Sequence, residues 1–157
     1  MATSEHGRPE ALRPATREAV LLPPAAHTYL TRSASSLREA IAEGDPASRY
    51  ALAHVAALRA AAAVIAARSQ PGPQRRKERN AWVLLVKAAP DLADWATFFS
   101  AGAATYAAAQ AGSRRAVSVE QADELVQEAD RFLAVVEQAL GLLPHAWTDG
   151  EGRTVVA

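Results

Sequence analysis

Arg49 and His54 are the two side chains of this sequence whose types and spacing point most directly to chemistry. A guanidinium holds a phosphate and stabilises charge that develops on it, and an imidazole near neutrality moves protons. Together they meet the needs of metal-free RNA cleavage, with the 2′-hydroxyl as nucleophile. The two residues lie in the run Arg49-Tyr-Ala-Leu-Ala-His54. At about 100° per residue they point about 140° apart around a helix, so they cannot touch within it. A shared site requires both to converge on a ligand, at a cleft or across a dimer interface. The alternative for His54 is structural: an imidazole near the edge of an apolar seam, bonding a backbone carbonyl.

A second candidate is the basic stretch Arg75, Arg76, Lys77 and Arg79, which follows the helix-breaking Pro71-Gly72-Pro73. Such a run contacts a phosphate backbone in some proteins and is a solvated loop in others. No aromatic is interleaved with it, so a single-strand stacking platform is not indicated. Asp91 and Asp94 follow Pro90 at a helix start, where the macrodipole accounts for both carboxylates. Cysteine is absent, and the histidines at 6, 27, 54 and 145 have no metal-ligand spacing. No metal site or cofactor is expected, since phosphate-binding glycine loops, dinucleotide fingerprints and hydrolase elbows are also missing.

The element that must position Arg49 and His54 is the stretch Asp45–Ser69. Asp45 suits an N-cap and Pro46 the first helical position. Ala51, Val55, Leu58, Ala62 and Ile65 repeat at four-three spacing and form one apolar seam. Ala53, Ala56, Ala60, Ala63 and Ala67 form an opposite face with little bulk, which a neighbouring helix can approach closely. This predicts a central rod enclosed on most of its circumference.

Around it, a helix is predicted over 25–43, with Leu30, Ala34, Leu37 and Ile41 inward and Arg32, Ser35, Arg38 and Glu39 outward. The short connection at Gly44 makes it the antiparallel partner of the rod. A short helix over 81–88 turns Trp82 and Leu85 inward and breaks before Pro90. From Pro90 a helix continues through Tyr106 to about Gln110, with Trp95, Phe98 and Phe99 as its core side chains. The last helix starts at Ser118, where Ser118 and Gln121 make a capping box, and ends at Gly141. Its seam is Ala122, Val126, Ala129, Leu133, Val136 and Leu140. Glu120, Asp123, Glu124, Glu128 and Glu137 lie mostly off that seam as a solvated acidic surface. The predicted class is all-α, an antiparallel up-and-down bundle of four to five helices spanning 25–141. Residues 1–24 are expected to be a loose arm and 142–157 a flexible tail, with Trp147 pinning part of it.

Seventeen basic and 17 acidic residues cancel, so no overall field recruits nucleic acid or a membrane. The first residues have no apolar core of signal-peptide length, and the most apolar run is flanked by Arg49, Arg59 and Arg68. A cytoplasmic location without membrane contact is expected.

The pattern Asp45-Pro-x-x-Arg-Tyr-x-x-x-His54, the run Ala56-Ala-Leu-Arg-Ala-Ala-Ala-Ala-Val64, Trp82-Val-Leu-Leu85 and Pro90-Asp-Leu-Ala-Asp-Trp-Ala-x-Phe-Phe99 together resemble a small actinobacterial branch of the HEPN superfamily. The likeness covers roughly residues 25 to 141. It implies a bundle of four or five helices, a homodimer, and membership of a group rich in metal-independent ribonucleases of toxin, defence and stress systems. The group's signature is an Arg followed, after four to six residues, by a His. Arg49 on the scissile phosphate and His54 as acid or base carry over from it. Two functions are consistent with this resemblance, an RNA-directed ribonuclease and a non-catalytic bundle that binds a nucleic acid or a protein; the alanine-rich face with Trp95, Phe98 and Phe99 suggests a third, a plain dimerisation bundle. The second requires a buried His54.

Overall fold

The structure, a computed structural model, describes residues 21–69, 78–148 and 154–155. Among these the chain forms α1 (Pro24–Ala42), α2 (Pro46–Arg68), α3 (Ala81–Ala88), a 3-10 turn (Pro90–Leu92), α4 (Ala93–Ala101), α5 (Ala103–Gln110) and α6 (Val119–Ala139). Two-residue strands, Trp147–Thr148 and Thr154–Val155, pair antiparallel after the last helix. The fold is an all-α bundle around α2, as the alanine pattern predicts.

The caps follow from local chemistry. Asp45 Oδ2 accepts from the Ser48 amide at 3.0 Å and from its hydroxyl at 2.8 Å, with Pro46 opening α2. Asn80 Oδ1 accepts from the amides of Trp82 and Val83 and opens α3. Ser118 and Gln121 close the predicted capping box on α6, at 3.1 and 2.9 Å. At the other end of α6, Gly141 adopts φ +78° and the Leu142 amide donates to the Glu137 carbonyl, so the chain reverses there.

Packing on α2 favours its alanine face, although Ile65 of the apolar seam is buried as well, at 4% exposed. Ala53, Ala56, Ala57, Ala60, Ala61 and Ala63 are at most 1% exposed, whereas Ala51, Val55, Leu58 and Ala62 are only half-buried. The small face wins because α1 and α6 can come close only where no side chain stands between the backbones. The same closeness rotates α1. Ser33 and Ser36, not Leu30 and Ala34, are buried on it beside Ala26, Leu37 and Ala40, and Ile41 is 38% exposed. Ser33 Oγ donates to the Ala56 carbonyl at 2.7 Å, and Arg59 of α2 donates to Ser36 Oγ at 2.6 Å. At the far end of α2, Arg68 donates to the Ala139 carbonyl at 3.0 Å and pairs with Asp91. By length and mean hydropathy α2 passes as a membrane span, but it is the core helix of this bundle.

The segment predicted as one helix from Pro90 to Gln110 is divided. A 3-10 turn precedes α4, and Gly102 separates α4 from α5. Phe99 is buried with Ala96, while Phe98 is 41% exposed and Trp95 half-buried. The α6 seam is buried at all six predicted positions. Its acidic flank is less solvated than expected: Asp123, Glu128 and Glu137 each pair with a cation.

Candidate functional site

The Asp45 cap starts α2, and along that helix the line Tyr50, His54, Ala57, Ala61 is buried and faces inward. His54 is 2% exposed. Its ring lies flat against Tyr106 of α5, centroids 4.2 Å apart and planes 16° apart. Trp82 of α3 and Phe99 of α4 meet it edge-on at 6.1 and 6.3 Å. Behind them Trp82 stacks on Phe99 at 5.0 Å, and Phe132 of α6 and Trp95 complete the aromatic cluster. Among the described residues His54 makes no hydrogen bond, and its Nδ1 is a buried atom without a partner. The carbonyl bond expected of a structural His54 is therefore absent; ring packing holds it instead. Burial pushes its pKa down to about 4, so the imidazole is neutral at pH 7.

Arg49 points away from His54, toward α6. Its Nη1 lies 3.3 Å from Asp123 Oδ1, and its Nε is buried without a partner. No hydrogen bond or ion pair joins Arg49 to His54 among the described residues. The helix separates the pair, and no neighbouring element brings the two groups together. In the basic stretch, Arg79 is exposed, and Arg75, Arg76 and Lys77 lie outside the described residues.

Tyr50 fills the position between them. Its ring is 7% exposed, and burial raises its pKa despite a hydrogen bond with Thr105. The phenol passes directly over Gly102: a Cβ there would lie 2.7 Å from the Tyr50 hydroxyl oxygen. Gly102 is thus where the chain must lack a side chain for α4 and α5 to close on α2.

With this geometry in place, residues 40–137 match the SAV_6107-like HEPN family. The chain belongs to that family. The matched span runs from the end of α1 through nearly all of α6, so it contains every residue of the His54 pocket. No curated protein and no solved structure compared with this HEPN chain matches it.

One ionisable cluster of this HEPN bundle is missing from the expectations. His145, placed by its sequence in the C-terminal tail, sits between two carboxylates of α6. Nε2 is 2.6 Å from Asp130 Oδ1, and Nδ1 bonds Glu137 Oε1. Asp130 is 7% exposed. The two carboxylates raise the imidazole pKa to about 10, which keeps it charged at neutral pH. The signal was present: Asp130 and Glu137 are two turns apart on one face of a helix, and a histidine follows the turn at Gly141. Both ring nitrogens are engaged, so the cluster ties the chain after α6 to the bundle. Among the described residues no group of three His, Cys, Asp or Glu side chains is arranged to hold a metal ion.

Proposed function

We propose that this HEPN-family chain is a non-catalytic binding module that acts by association with a protein surface, a second copy of itself first. The single observation that carries this is the enclosure of His54. A general base must reach the proton it takes, within about 3 Å or through one water. An imidazole 2% exposed, flat on Tyr106 and bordered by Trp82 and Phe99, meets no 2′-hydroxyl. Arg49 is engaged with Asp123 on a different side of α2. Val55 and Ala62, partly exposed on α2 and outside the packed core cluster, support association, because an apolar pair of this kind on a core helix is available to another chain.

The test pairs two assays on the full chain. Purified protein incubated with single-stranded and structured RNA in the presence of a chelator shows no cleavage that His54→Ala removes. Sedimentation equilibrium shows a dimer that Val55→Glu dissociates while helix content stays unchanged. RNA cleavage abolished equally by Arg49→Ala and His54→Ala, in variants that remain folded, overturns the proposal in favour of a nuclease.

A further inference from the structure

The groove between α3 and α4 is lined by Trp82, whose ring also meets His54, and by none of the residues of α2. Helix α3 turns Trp82 and Leu85 into the core, and that phase leaves Val83 and Val86 on its outer side, 39% and 37% exposed. Across from them α4 presents only small side chains, Ala96, Thr97, Ser100 and Ala101. Bulk on one wall and none on the other leaves a groove of about 650 Å³, floored by Trp82. The groove is open to solvent, so it can seat one side of a ligand rather than enclose it, and its lining is mostly apolar with few polar groups.

The polar groups decide what fits. The Thr97 hydroxyl is already committed to the Ala93 carbonyl at 3.2 Å. Lys87 is the ionisable side chain on the lining, no carboxylate shares it, and Lys87 makes no ion pair among the described residues. An ammonium at the rim of an apolar trough selects a ligand with an anionic head and an apolar body. The length of the trough is set by the eight residues of α3, about 12 Å, which suits a single extended chain. We propose that this groove binds an apolar carboxylate, an aliphatic acid whose chain lies on Trp82, Val83 and Val86 and whose head pairs with Lys87. The proposal is independent of whether the chain cleaves RNA or forms a dimer.

The test is an NMR titration of the full chain with sodium decanoate and, separately, with decyltrimethylammonium, which has the same tail and the opposite head. Decanoate is expected to shift the amides of Val83, Val86, Thr97 and Ala101 saturably. The cationic amphiphile should bind more weakly by about threefold or more, the scale an exposed ion pair supplies. In Lys87→Glu the order of the two reverses. Ala101→Leu, which fills the small wall, removes binding of both without loss of helix content. Equal binding of the two heads, an order unchanged in Lys87→Glu, shifts spread over the whole surface, or no saturable decanoate binding overturns the proposal.

Discussion

The imidazole of His54 is stacked on the phenol ring of Tyr106, with centroids 4.2 Å apart and planes 16° from parallel. That relationship converts the most chemical-looking residue of the sequence into a core side chain. It also makes His54 expensive to protonate, because charging it requires an ion in a pocket of rings with Nδ1 unpartnered.

Acid stability follows from the sign of that shift. The folded pKa, about 4, lies below the ordinary value of 6.5, so the unfolded chain takes up the proton first. The stabilisation is complete above pH 6.5 and is lost as pH falls from 6.5 to about 4, a change of about 3 kcal/mol. His54→Phe removes this limb from a denaturant-midpoint profile. At pH 7 the variant stays within about 1 kcal/mol of the parent, since an apolar ring replaces a buried polar atom without a partner.

His145 has the opposite sign. Its folded pKa, about 10, lies above 6.5, so its contribution is full below pH 6.5 and is lost as pH rises toward 10. His145→Ala leaves Asp130 buried beside Glu137 without their shared cation, and lowers stability at pH 7 by about 1–3 kcal/mol. Thermal melts from pH 6.5 to 10 should fall in the parent and stay flatter in the variant. The two histidines together place the stability optimum near pH 6.5.

Gly102 and Tyr50 are coupled through space. Gly102→Ala puts a methyl group 2.7 Å from the Tyr50 hydroxyl and costs about 1–3 kcal/mol. Tyr50→Phe removes the obstructing oxygen and restores part of the loss, so the double-mutant cycle shows a coupling above about 0.5 kcal/mol. Additive effects would contradict the close approach.

The alanine face of α2 is the other sensitive surface. Ala60→Leu, at a position 0% exposed, should cost about 1–3 kcal/mol or more, because α1 and α6 have no room to retreat. Ala66→Leu, half-buried on the same helix, should stay within about 0.5 kcal/mol by chemical denaturation.

The fold was legible where a pattern speaks for itself. Asp45-Pro46, the Ser118–Gln121 box and the α6 seam are local signals, and each appears at the predicted position. The rotation of α1 onto Ser33 and Ser36 was not legible, because periodicity ranks residues by apolarity and cannot see that backbone approach favours small polar side chains. The need for a glycine at 102 comes from Tyr50, a residue 52 positions earlier, and the His145 clamp likewise joins groups that meet only after the chain turns at Gly141. For the candidate pair, spacing gave the angle between Arg49 and His54 but not their surroundings. Which side of α2 is enclosed depends on α3, α4 and α5, and that decides whether an imidazole is a base or a packing ring.

The most direct measurement is the pKa of His54, followed by NMR of the histidine-labelled full chain with and without added RNA. An imidazole that stays neutral down to about pH 4, with resonances unmoved by RNA, is the result this structure predicts. A midpoint near 6.5, or one that RNA shifts, would mean that the ring reaches solvent and substrate, and would contradict the sealed core on which the binding-module assignment stands.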